Sequence, residues 1–262
     1  MSRKLILDER FQSGQLDPAV WKVAKTLDFF QSYDAYDGEQ VTVKDGILAL
    51  STQHNANKST GMWRDWLGLN DWWGGMVTTK TLLGPGRVEI VAKMPETGGK
   101  IPCQTSFWFM PPDSPVYRPN PWPSFGEIDI VEHYGLVPLL ADKTVDDYTN
   151  GVIHYRNTDG TKGATGATGA NQEGVWDRTK FTKLTRGYRA YGAEWNAERV
   201  RLTVSGKVVL EETWDEAGKS PFGDPDYFHL NLTHGFMHFP WPDLATYKPT
   251  ACRIKRVRIW QD

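Results

Sequence analysis

Apolar and polar residues alternate with a period of two in short runs along most of the chain, and Gly, Pro, Asp and Asn gather between the runs. This is the pattern of half-buried β-strands joined by turns. Val41 and Val43, then Asp45-Gly46, then Ile47 and Ala49, with Leu48 and Leu50 on the other face, predict a hairpin over 40–52, because an Asp-Gly pair suits the positive φ angles of a two-residue turn. Further strands are predicted at 76–82 and 86–94, the second with Glu89 and Lys93 marking a solvated face. Residues 103–110, C-Q-T-S-F-W-F-M, read as a buried strand. Six prolines within 111–123 make that stretch extended and unfit for a central strand, since each lacks a backbone donor. Strands return at 151–155, as a pair around Asn196 followed by a hairpin at Ser205-Gly206, and at 227–231, which leads into a loop carrying His234, His238 and Trp241. The last strand, 253–260, sets apolar residues on one face and bases on the other. Phe11 and Trp21 are expected core anchors, and residues 160–174, rich in Gly, Ala and Thr, are expected to form a mobile surface loop. With no long amphipathic helical pattern, the chain is expected to be an all-β sandwich.

One strand carries chemistry. Residues 127–132, E-I-D-I-V-E, alternate acid with aliphatic, so Glu127 and Asp129 share a face. Strict alternation would turn Glu132 to the other side, among Ile128 and Ile130. One extra residue between Asp129 and Glu132, a β-bulge, brings all three carboxylates to one surface. Two carboxylates about 5 Å apart at an effective dielectric near 20 repel by roughly 3 kcal/mol. A purely structural strand has no reason to carry that cost, although the hexapeptide alone also fits any amphipathic strand with a solvated face. A carboxylate nucleophile beside a carboxyl group kept protonated near neutral pH is the equipment of a retaining glycosidase.

Trp122-Pro123 and Gly126 ahead of the acids complete a stretch, W-P-S-F-G-E-I-D-I-V-E-H-Y-G, that resembles the signature of family 16 glycoside hydrolases in its bulged Glu-x-Asp-x-x-Glu form, the laminarinase, agarase and carrageenase branch. The resemblance runs from Phe11 to Trp260. It implies a concanavalin-like β-jelly-roll of two antiparallel sheets, with a substrate groove across the concave one. It implies Glu127 as nucleophile, Asp129 as its hydrogen-bonded neighbour and Glu132 as general acid/base. It also implies Trp122 stacking on the sugar beside the cleaved bond and His154, in a Gly-x-x-His-Tyr strand, facing the cleft. Trp72 and Trp241 are candidate further sugar platforms. Trp72 belongs to the 60–75 stretch of four tryptophans, where either a short helical turn brings Trp63 and Trp66 together as a packed cluster or a loop lines the cleft with its indoles.

Three features depart from the family pattern. Ile101-Pro102-Cys103-Gln104 replaces the usual Trp-Pro-Ala, and Met76-Val77-Thr78-Thr79 stands where an Arg often lines the groove. Many relatives hold a structural calcium with an Asp just before the last strand; Lys255 stands in what resembles that place, which argues against calcium. The leading expectation is an endo-acting retaining hydrolase of β-1,3-glucan. A galactan hydrolase or a transglycosylase is the alternative within the class, and an idle carbohydrate-binding sandwich the alternative outside it.

The 262 residues, 39% hydrophobic and 24% charged, suffice for one sizeable core, so 1–262 is expected to be a single catalytic domain. A net charge of -2 argues against nucleic acid or an anionic membrane as partner. No apolar run reaches the length that spans a bilayer. The start is basic but meets acids after three apolar residues, so it is not expected to be a signal peptide; the substrate class suggests a place outside the cell, reached after removal of a leader or by another route, and the alternative is that the protein never leaves. Core packing explains many of the 12 Trp, 10 Tyr and 11 Phe, but twelve Trp is more than a core of this size usually needs, and stacking on sugar rings is the alternative use. Cys103 and Cys252 are either two buried thiols or one bridge. His229, His234 and His238 lack a carboxylate or thiolate partner in their spacing, so no metal is expected there. A monomer that needs no cofactor is the simplest expectation.

Overall fold

Strand after strand in the computed structural model lies where the alternation places it. The structure describes residues 3–25, 35–55, 72–97, 101, 103–111, 126–135, 149–156, 162–166, 184–213, 222, 228–236, 244–245 and 247–262. The strands of the first half are β1 (Lys4–Glu9), β2 (Trp21–Val23), β3 (Ala35–Tyr36), β4 (Val41–Lys44), β5 (Ile47–Ser51), β6 (Gln53–His54), β7 (Trp72–Thr79), β8 (Gly86–Lys93) and β9 (Gln104–Met110). Those of the second half are β10 (Glu127–Tyr134), β11 (Thr149–Arg156), β12 (Lys162–Gly166), β13 (Arg189–Trp195), β14 (Arg199–Val204), β15 (Lys207–Thr213), β16 (His229–Gly235) and β17 (Ala251–Gln261).

They form two sheets. One runs β15-β14-β13-β8-β17-β5-β4, with β1 added on β17; the other runs β12-β11-β10-β9-β16-β7-β2, with β3 and β6 on β7. Pairing is antiparallel except for the short β3–β7 contact. The architecture is the jelly-roll sandwich. Asp45-Gly46 and Ser205-Gly206 both take positive φ at two successive residues, the backbone that a tight hairpin needs to match strand twist.

The core lies between the sheets. Phe107 and Phe109 of β9 and Ile128 of β10 meet Tyr191 and Trp195 of β13 in one buried cluster, with Phe109 and Trp195 ring centroids 4.7 Å apart. Each such side chain contributes about 1.5–3 kcal/mol through removal of apolar area from water. Phe11 and Trp21 are both buried, as expected. Since alternate residues face the core, the intervening ones of the second sheet project from its opposite face, where the acids emerge.

Several elements differ from the sequence reading. Strand β7 starts at Trp72, not Met76, and buries both Trp72 and Trp73. The stretch 162–166 is an edge strand paired with β11, not loop, since ladder bonds come from the backbone. The rest of the expected loop, residues 160–161 and 167–174, lies outside the described residues. Strand β16 continues through His234, because β9 and β7 flank it and satisfy its backbone on both sides. Cys103 and Cys252 are free and buried. Lys255 lies within β17, exposed, with its ammonium 5.8 Å from the Tyr188 ring centroid. A lysine cannot ligate calcium, so this place does not fit that ion.

Candidate active site

Strand β10 bulges where the acid spacing requires it. Against β9, Asp129 pairs with Trp108 and Val131 with Phe107, two steps on β10 for one on β9. Against β11, Asp129 pairs with Val152 and Glu132 with Asn150, three steps for two. The extra residue lets Ile130 and Val131 both enter the core. It also returns Glu132 to the side of Glu127 and Asp129.

Room for two consecutive core side chains comes from Gly151, which lies opposite the bulge on β11. A Cβ there would sit 2.9 Å from Leu202 Cδ1 and 3.4 Å from the carbonyl oxygens of Asp129 and Ile130. Gly151→Val is therefore expected to destabilise the protein by about 1–3 kcal/mol through overpacking. The check is a lower urea midpoint at unchanged m value. Ahead of the strand, Gly126 is buried at φ 76, a conformation that a residue with a Cβ rarely adopts.

The three acids differ in surroundings. Asp129 is only 6% exposed, between cross-strand neighbours Trp108 and Val152. Burial, and after it the charge of Glu132, pushes its carboxyl well above the ordinary carboxylate range. His154, the cross-strand partner of Glu127, brings Nε2 to 3.3 Å from Asp129 Oδ2. Glu127, Asp129 and His154 each place one donor atom within 4.8 Å of the others. Glu132 is half-buried, and its Oε1 accepts hydrogen bonds from Gln104 Nε2 and Tyr134 Oη, both at 2.8 Å.

A raised folded-state pKa has a definite sign in stability. Protonated Asp129 contributes stability that is fully present below its ordinary value of 3.8 and is lost as pH rises through the raised value. Asp129→Asn is therefore expected to match the parent in acid. It should then gain on it by about 1.4 kcal/mol per pH unit through that window, in urea titrations run side by side.

The structure brings Glu127, Asp129, Glu132 and His154 together. It does not leave Trp72 as a sugar platform. That indole is 4% exposed, edge-on to His54, Phe236 and Tyr247 with centroids 4.5, 5.2 and 5.0 Å away. Pairing of β6 with the start of β7 puts His54 against it. Trp122 and Trp241 lie outside the described residues, as do Trp63, Trp66 and His238. Of the other histidines, His234 is buried between hydroxyls, with Nδ1 2.9 Å from Thr105 Oγ1 and Nε2 2.9 Å from Thr250 Oγ1. Burial first, then His133, pushes its pKa down to about 3, so it stays neutral. Gln104 and Tyr134 were not expected in the site. Tyr134 lies two residues beyond Glu132, which by strand period puts it on the same face. Gln104 has no such signal, because only the β9–β10 register sets it beside Glu132.

No protein-family model matches the chain. Its fold does match solved structures. The catalytic domain of an endo-1,3-β-glucanase (laminarinase) from Thermotoga petrophila superposes with TM-score 0.74 at 21% identity, over 100% of this chain and 98% of that one. A non-specific endo-β-1,3(4)-glucanase from family 16 gives 0.72 at 20% identity, over 99% and 95%. This chain has the fold of the family 16 glucanases. Among curated proteins, glucan endo-1,3-β-glucosidase A1 of Niallia circulans is 25% identical over 258 residues, 94% of this chain. The keratan-sulfate endo-1,4-β-galactosidase of Sphingobacterium multivorum is 26% identical over 183 residues, 67% of this chain. The chain spans 34% of the Niallia protein's length and 36% of the Sphingobacterium protein's.

Proposed function

We propose that this chain is an endo-acting retaining glycoside hydrolase that cleaves β-1,3-linked glucan by double displacement. The observation that carries the reading is the single bulge in β10, which sets three acids on one face of a fold shared with 1,3-glucanases. Glu127 attacks the anomeric carbon while Glu132 gives a proton to the departing glycosidic oxygen. In the second step Glu132 takes a proton from water, whose oxygen displaces Glu127 with overall retention. Asp129, whose carboxyl is pushed up by burial and by Glu132, adds less negative charge to the site than an ordinary third carboxylate would. Retention requires the two working carboxyls about 5–5.5 Å apart. The enzyme acts as a monomer, without a cofactor, on a polymer outside the cell.

The test is reducing-end release from laminarin, mixed-linkage glucan, agarose and carrageenan in parallel, with the anomer of the first product read by NMR. Laminarin should be cut fastest, at internal bonds, giving the β anomer first. Absence of release from all four polymers would sink the reading. A galactan substrate is the second reading, favoured by the galactosidase relative and by the loss of the groove residues that the laminarinase pattern expects at 76–79 and 101–104. It wins if agarose or carrageenan outpaces laminarin.

A further inference from the structure

Glu132 holds the geometry with the most left to explain. Gln104 Nε2 and Tyr134 Oη both donate to the same carboxylate oxygen, Oε1, at 2.8 Å. Gln104 is 1% exposed and is steadied by a second bond from the same Nε2 to Ser106 Oγ, 3.0 Å. Its own amide oxygen is buried with no hydrogen-bond partner among the described residues. A glutamine kept for packing would not be turned to leave its acceptor unmatched. The arrangement makes sense if the amide is there to present N–H to Glu132.

The hydroxyl oxygen of a carboxylic acid is a weak acceptor, and the carbonyl oxygen a strong one. An oxygen that receives two hydrogen bonds is therefore the carbonyl one. We propose that Gln104 and Tyr134 are positioning residues for Glu132, which keep Oε1 as acceptor and so assign the transferable proton to Oε2. This rests on the reading of Glu132 as general acid. When Glu132 releases its proton, the two donors stabilise the carboxylate, so they also set the pH above which the acid form is lost. The titratable groups that face Glu132 among the described residues are Asp129, Glu127 and Tyr134 on its own strand and His154 on β11. Strand β9 contributes only the neutral Gln104 and Ser106. Removing a neutral donor thus leaves the charges around Glu132 unchanged.

The experiment is the pH profile of kcat/KM on a laminarin oligosaccharide for the parent, Gln104→Leu, Tyr134→Phe and the double variant. The alkaline limb should move up by about one pH unit in each single variant and further in the double, while the acid limb stays in place. The urea midpoint of Gln104→Leu should not fall, because a buried unmatched acceptor is removed. A lower plateau with an unmoved alkaline limb in both single variants would mean packing alone and would overturn the proposal; Tyr134→Phe decides alone if Gln104→Leu does not fold. Failure of the parent reading looks different: Glu132→Ala would then keep its full rate.

Discussion

Glu127→Ala is expected to slow hydrolysis of β-1,3-glucan by about 10⁴-fold or more, equivalent to about 5.5 kcal/mol of transition-state stabilisation. In the proposed double displacement no glycosyl-enzyme forms without that carboxylate, and a neutral methyl cannot offset charge developing at the anomeric carbon. The fold should persist, since Glu127 is half-buried on the face opposite the core and its loss relieves crowding with Asp129. Azide, small enough for the space left by the side chain, should restore turnover and yield a glycosyl azide of inverted configuration. Retained configuration in that product would remove Glu127 from the nucleophile role.

Glu132→Ala is expected to lose about 10²–10⁴-fold on the polymer, the usual worth of a positioned acid and base. A sugar alkoxide leaves poorly without a proton, so the first step suffers directly, and azide should not restore polymer cleavage. The alkaline limb of the pH profile should disappear with the group that produces it. Because the two glutamates serve one reaction path, the double variant should be little worse than Glu127→Ala alone. A multiplied loss would mean that they act independently.

Much of this was legible in the residues. The Asp45-Gly46 and Ser205-Gly206 hairpins are local chemistry, set by which residues tolerate positive φ, and both appear as expected. The acid spacing implied one bulge, because facing the core is decided by parity along a strand and hydrophobic Ile130-Val131 leaves one way to restore it. The 162–166 strand was not legible, since its pairing depends on the open edge of β11 and not on its own side chains. Nor was the enclosure of Trp72, which sequence chemistry alone offers equally to a cleft or to a core.

What the amino-acid sequence determined alone is the all-β class, the hairpins and the spacing of three acids along one strand, all properties of neighbours along the chain. Tertiary structure decided which groups surround those acids. Gln104 reaches Glu132, and His154 reaches Asp129, only through strand register. The carboxyl of Asp129 is pushed up by burial and then by the charge of Glu132, and its cross-strand neighbours Trp108 and Val152 are distant from it in the chain. Burial and charge act through space, so a group's protonation state is written in its three-dimensional neighbours and not in its sequence position.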